Sequence, residues 1–334
     1  MPCCTVSDRG AVDCEADSLM TLTFLYVLTK GKHHDYAGAS FQPDSRNHSM
    51  IVVTGATGQL GRLVIEQLLS RVPASQIIAA VRSPEKAADL SRQGIQVRQA
   101  DYSQPATLDS AFAGADKVLL ISSSEVGQRL PQHKAVIDAA KRAGVQLLAY
   151  TSVLHADTSA LSLASEHRET EDYLRASGLP LVLLRNGWYT ENYTAGIPGA
   201  LAHGAVMGSA DEGRISSASR LDYAEAAAVL LTSEKAQAGE VYELAGDESY
   251  TLSEFAAQLS TQSGKSLPYV NLPQAEFEAA LIQAGLPDFV ARLLADSDAA
   301  AAKGALFDDS RQLSALIGRP TTPLSATIAE TLKG

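Results

Sequence analysis

Cysteine is nearly missing from this chain of 334 residues: the three present, Cys3, Cys4 and Cys14, all stand in its opening segment. No disulfide can staple anything beyond them, so the rest must fold on its own core. Nowhere is there a run of about 18 apolar residues, which excludes an ordinary membrane-spanning helix. Lys/Arg-rich runs are missing too, and the formal net charge is −11. A general nucleic-acid binder needs cations against phosphates, so that class is excluded as well, although a small basic pocket is still compatible. What is present is ordinary for a globular protein: 46% hydrophobic and 19% charged residues, with 24 Gly and 13 Pro. A cytoplasmic location is expected, while the oligomeric state is not legible.

Residues 1–49 differ from the rest. Their one apolar run, Leu19 to Leu28, follows Asp8, Asp13, Glu15 and Asp17 rather than positive charge, which fits neither a secretory signal nor a transit peptide. The segment is expected to be a disordered leader or a non-native extension. Met50 stands directly before a strand-like run and suits a natural start.

From Met50 the pattern becomes regular. Apolar strands are expected at Ile51–Thr54, Ile77–Val81, Ile95–Ala100, Lys117–Ile121, Gln146–Thr151 and Leu181–Leu184, with helical segments between them. Short buried strands alternating with helices imply parallel pairing and right-handed crossovers, hence an α/β fold built on a doubly wound, Rossmann-type sheet. The expected organisation is a dinucleotide-binding domain over 50–190 and a smaller, mostly helical lobe over 191–334. Val206–Gly208 and Arg214–Ala218 read as short strands of that lobe, and Val241–Ala245 as a late strand returning to the sheet. Thr251 and Glu254 have the spacing of a capping box.

Directly after the first strand comes Gly55-Ala56-Thr57-Gly58-Gln59-Leu60-Gly61. A glycine first in such a run permits a tight turn, the second lets backbone approach a pyrophosphate, and the third lets the helix pack on the strand. The phosphates then meet the positive end of the following helix. No Lys-Ser/Thr pair follows, which excludes a nucleoside-triphosphate P-loop. The second strand ends in Arg82 and Ser83 where an NAD-binding chain usually presents a carboxylate. A guanidinium suits a 2′-phosphate, so NADPH is the expected cofactor. Asp101 and Tyr102 at the end of the third strand are expected at the adenine, and Ser122, Ser123 and Ser124 after the fourth at the middle of the cofactor.

Gly55–Gly61, Arg82, Ile121–Glu125, His167–Glu171 and Leu184–Tyr193 together resemble the NmrA-like branch of the atypical short-chain dehydrogenases, and in particular its quinone-reducing members. The resemblance runs from Met50 to the C-terminus and implies NADPH contacts from Asn186, Gly187, Trp188, Tyr189, Thr190, Glu191 and Arg220. Ordinary members of the wider family use Tyr-x-x-x-Lys to protonate an alkoxide; none occurs from Met50 onward, and His167 to Glu171 takes its place. His167 and Glu171 share a helix face, either as a general acid with its orienting carboxylate or as a surface ion pair. Hydride transfer to a quinone yields a phenolate-like anion with a conjugate acid of pKa about 10, which can take its proton from water. The expected function is therefore hydride transfer from NADPH to a quinone or similar small aromatic acceptor, by stacking rather than acid catalysis. Trp188, Tyr189 and Tyr193 would line the acceptor pocket or serve as core packing. The alternatives are a non-catalytic NADP-binding redox sensor and an NADPH-dependent enone or aryl ether reductase.

Overall fold

Short β-rich segments made up mainly of apolar side chains are buried on both faces. That is the situation of β1 (Ile51–Thr54), β2 (Ile77–Val81), β4 (Lys117–Leu120), β5 (Leu147–Val153) and β6 (Leu181–Asn186) in the computed structural model, which describes residues 49–333 apart from residue 126. With β3 (Gln96–Gln99) and β8 (Val241–Leu244) they form one seven-stranded sheet in the order β3-β2-β1-β4-β5-β6-β8. Every pairing in it is parallel. The chain winds outward from β1 to β3, then returns to β4 on the other side of β1. That reversal creates a crevice at the carboxyl ends of β1 and β4, the place where doubly wound sheets bind ligands. The doubly wound expectation therefore holds. The 1–49 leader lies outside the described residues but for Ser49.

Helices cover both faces. Gln59–Leu69 turns Leu60, Val64, Ile65 and Leu68 inward at helical spacing and packs, with Arg220–Thr232, over one face. Pro105–Phe112, Arg129–Ala143 and Ala164–Ser177 supply Leu108, Phe112, Val136, Ile137 and Leu174 to the other. Each of these fully buried aliphatic or aromatic side chains contributes about 1.5–3 kcal/mol relative to exposure.

A third cluster sits beyond the carboxyl end of β5, where Val153 and Leu161 meet Ile197, Tyr250, Phe255 and Leu306. Around it lie a two-stranded parallel ribbon, β7 (Val206–Gly208) with β9 (Tyr269–Asn271), and the helices Leu252–Ser263 and Asp288–Ala301. The capping box at Thr251 is formed in both directions: Glu254 N–H donates to Thr251 Oγ1 at 3.2 Å and Thr251 N–H to Glu254 Oε2 at 2.9 Å. Two details differ from the sequence expectation. Arg214–Ala218 is not a strand; it makes only isolated bridges, Ile215 with Tyr250 and Ala218 with Tyr189. Residues 215–218 are buried, and apolarity alone does not reveal whether a strand partner exists. The chain also closes on a helix, Leu324–Lys333, whose buried Leu324, Thr327 and Ile328 are too few to mark it in sequence.

Candidate active site

The glycine turn opens the crevice. Gly55 sits at φ +58, a left-handed conformation that side chains resist, and turns the chain from β1 into the helix. A Cβ on Gly61 would stand 2.4 Å from the Gly55 carbonyl oxygen and 2.8 Å from Ala56 Cα, so only glycine lets the helix approach that closely. The Gln59–Leu69 helix starts at Gly58 with no side-chain cap and no acidic residue in its first turn. Its leading N–H groups and the positive end of its dipole are thus free to receive an anion. Gly58 and Gln59 are exposed, Thr57 is half-buried, and Ala56 and Leu60 belong to the core.

Arg82 projects from the end of β2 with its side chain 71% exposed, and its Nη1 lies 3.1 Å from Glu125 Oε1. Tyr102 behaves differently from a surface aromatic. Its hydroxyl reaches 2.5 Å from Thr54 Oγ1 and 3.0 Å from the Ile121 carbonyl oxygen, fastening the ends of β1 and β4 beneath the crevice. Burial pushes its phenol well above the ordinary value. Asp101 folds its own turn, accepting from Ser103 N–H at 2.9 Å and Gln104 Nε2 at 3.0 Å. Of the three serines, Ser122 N–H donates to Thr151 Oγ1 at 2.9 Å, and Ser123 is tied to Gln132 and His133. Ser124 is exposed.

The segment after β6 splits between two cores. Trp188 and Tyr193 pack on the third cluster, whereas Tyr189 faces the first, edge-on to Tyr223 with the Arg220 guanidinium 4.6 Å over its ring. Glu191 accepts the Arg220 N–H at 2.9 and 3.1 Å, and Arg220 Nη2 donates to Asn192 Oδ1 at 2.8 Å. The two residues thus lock the start of the Arg220–Thr232 helix to this segment. Thr190 joins Ser217 and Tyr250 in a chain of hydroxyls at 2.9 and 2.6 Å. Gly187 donates its N–H to Leu244 O at 2.7 Å. Asn186, at the carboxyl end of β6 and only 6% exposed, has a buried Oδ1 without a partner among the described residues. A buried acceptor left open costs about 1–3 kcal/mol, which a donor from a ligand would recover.

His167 and Glu171 are not a surface pair; that alternative is overturned. Both are buried, and each is engaged elsewhere. His167 Nδ1 meets the Tyr150 hydroxyl at 2.7 Å, and burial, with Arg129 nearby, holds its pKa well below 6.5, so the ring is neutral. Glu171 takes Arg185 Nε and Nη2 at 2.9 and 2.6 Å, Ser152 Oγ at 2.5 Å and Arg175 Nη2 at 3.0 Å. Helical periodicity put them on one face but could not say that this face is inside. The one Tyr-x-x-x-Lys spacing in the chain, Tyr26 to Lys30, lies outside the described residues.

Two neighbours of the site were not legible in sequence. His133, on Arg129–Ala143, accepts Ser123 N–H at Nε2 (2.9 Å), so its proton is on Nδ1, facing Thr170 Oγ1 at 3.0 Å. Burial and Arg129 push its pKa down to about 3. Asp298 lies behind Tyr193, accepting its hydroxyl at 3.1 Å and Ser209 N–H at 3.0 Å, and burial raises its carboxyl to about 6. Amid an acidic, alanine-rich helix it reads as a surface residue; only packing separates it from its neighbours.

A parallel sheet with a glycine turn and an uncapped helix at its switch point defines a dinucleotide-binding protein of the Rossmann type. The chain belongs to the NAD(P)H-binding family, whose model matches residues 55–234, and to the NmrA-like branch expected from its motifs. It is 60% identical over 280 residues to quinone oxidoreductase 2 of Escherichia coli strain K12, covering 84% of this chain and 98% of that protein. The crystal structure of an Escherichia coli NADPH-dependent quinone oxidoreductase complexed with NADPH matches with a TM-score of 0.83 and 59% identity, over 85% of this chain and all 100% of that one. The triphenylmethane reductase of a Citrobacter species matches with a TM-score of 0.82 and 40% identity, over 85% of this chain and 100% of that chain.

Proposed function

We propose that this chain is an NADPH-dependent oxidoreductase that delivers a hydride to a quinone. The observation that carries the reading is likeness along the whole body: 60% identity over 98% of a protein named quinone oxidoreductase 2. The site agrees with it. The bare helix start after Gly58 and the unpartnered Asn186 Oδ1 fit a dinucleotide laid along the carboxyl ends of β1, β4 and β6. When bound, NADPH supplies the hydride. The chain's own part is to hold and orient: Gly55 to Gly61 receive the pyrophosphate, Arg82 the 2′-phosphate, and Asn186 to Glu191 with Arg220 flank the nicotinamide end. Ser122 to Ser124 lie along its middle and Asp101 and Tyr102 near the adenine. Trp188 and Tyr193 present the acceptor side, with Tyr250, Phe255 and the C-terminal helices behind them, and that helical lobe closes over the acceptor.

Neither His167 nor Glu171 serves as the acid. One is a neutral ring bonded to Tyr150, the other a carboxylate consumed by Arg185. A quinone needs neither, since the anion it becomes takes its proton from solvent. A second reading follows from the same absence and from the triphenylmethane reductase likeness: a cationic triarylmethyl carbon accepts hydride and becomes neutral with no proton at all. The test is a panel of quinones, enones, ketones and a triphenylmethane dye, each with NADPH and with NADH. Rapid oxidation of NADPH by quinones is expected. Turnover with the dye alone would install the second reading, and binding without turnover on any acceptor would make the chain a redox sensor.

A further inference from the structure

Arg82 and Glu125 meet across the carboxyl end of β1. β2, which carries Arg82, and β4, which leads to Glu125, are the two neighbours of β1, so their ion pair at 3.1 Å passes over the outlet of the glycine turn. The two ends of this bridge are unequal. Glu125 is held from below: Gln132 Nε2 donates to its Oε2 at 2.7 Å, and its own N–H donates to Ser123 Oγ at 3.2 Å. Ser123 is itself fixed by Gln132 and His133. Arg82 has a long, largely exposed stem and is free to swing. Arg62, on the helix after the glycine turn, does not share its role, being engaged with Asp89 and the Lys86 carbonyl.

We propose that Glu125 is a specificity-determining residue: its carboxylate holds the Arg82 guanidinium in competition with the 2′-phosphate and so tunes how strongly a phosphorylated dinucleotide is preferred. The inference rests on the reading of Arg82 as the 2′-phosphate ligand. Two anions then contend for one cation. A phosphate dianion must draw Arg82 off Glu125, whereas a dinucleotide with a free 2′-hydroxyl leaves the pair in place. When Arg82 departs, Glu125 keeps the Gln132 amide and is not stranded. The carboxylate therefore opposes the phosphorylated cofactor specifically and hastens its release after hydride transfer. Both side chains are well exposed, so screening keeps the effect modest.

Calorimetric titration of the full-length protein with NADPH and with NADH tests this in the wild type, Glu125→Gln, Arg82→Ala and the double variant. Glu125→Gln is expected to tighten NADPH about two- to fivefold, the range of an exposed ion pair, and to change NADH less than about twofold. In the Arg82→Ala background the same substitution is expected to do nothing for NADPH. Melting curves confirm that all four proteins are folded. Unchanged or weaker NADPH binding in Glu125→Gln, with Arg82→Ala still selectively weakening NADPH, overturns the competition while leaving the phosphate assignment intact. Equal losses of both cofactors in Arg82→Ala overturn the assignment and the competition with it.

Discussion

Asp298 offers a sharp test of the packing behind the acceptor side. The residue is 3% exposed, and among the described residues no cation pairs with its carboxyl. Burial raises its pKa from 3.8 to about 6, against the opposing pull of Ser209 N–H and the Tyr193 hydroxyl. In the unfolded chain the group ionises near the ordinary 3.8. Its contribution is therefore fully present below that value and is lost as pH rises through about 6. At about 1.36 kcal/mol per pKa unit, the gap corresponds to about 3 kcal/mol. Asp298→Asn removes the ionisation while keeping both hydrogen bonds: the amide oxygen accepts Ser209 N–H, and the amide nitrogen donates to the Tyr193 oxygen. The variant should match the wild type near pH 4 and exceed its stability at pH 8 by up to about 3 kcal/mol, or about 5 °C in Tm for a chain of this size. Urea denaturation at the two pH values measures the difference between proteins, in which the other titrating groups cancel. A variant equally destabilised at both, or a difference that ignores pH, would refute the reasoning.

Glu171→Gln should cost about 3 kcal/mol in urea denaturation, the low end for breaking a buried ion pair, because Asp157 and Glu243 still neutralise Arg185. His167→Gln should lower quinone turnover by less than about tenfold; a loss of a hundredfold or more with NADPH binding intact would restore a general acid at that position. Trp188 is the single tryptophan of the chain, so NADPH, which absorbs where indole emits, should quench its fluorescence to saturation. Constant emission during calorimetrically proven binding would remove Trp188 from the site and leave it to packing.

How much of this could be read beforehand depended on whether the signal was local. The glycine turn is legible because its requirement is covalent and close at hand: a left-handed residue at Gly55 and no room for a Cβ at Gly61. The sheet was legible from β1, β2, β4, β5 and β6, whose apolar runs have no exposed face to alternate with. Arg214–Ala218 misled because a strand exists only when a partner does, and its partners, Tyr189 and Tyr250, come from distant turns. The buried polar groups were the hardest. Nothing in the one-turn spacing of His167 and Glu171 says that Tyr150 lies beneath one and Arg185 beneath the other. Tyr102 likewise reads as a residue of the adenine side, yet its hydroxyl serves the β1–β4 seam.

That seam and the Glu171 network bear on the chemistry together. Where a Tyr-x-x-x-Lys pair would project a proton donor and a cation, this chain places a histidine and a glutamate that point into the body. Glu171, Arg185, Asp157 and Glu243 join the Ala164–Ser177 helix to the ends of β6 and β8. The same helix is fixed to the start of the Arg129–Ala143 helix by the Arg129–Glu166 pair at 2.8 Å, and Arg129 Nε in turn donates to the Ser123 carbonyl in the loop after β4 at 2.9 Å. On the proposed reading the position supplies rigidity rather than acid. A site that relies on proximity needs its walls held to within a fraction of an ångström more than it needs a donor, because misplacement by about 1 Å can cost a hundredfold in rate. On this argument the buried network at this position suits acceptors whose reduced form needs no proton from the protein. Restoring a tyrosine at 167 should then break the Tyr150 contact and the packing around it without opening ketone reduction.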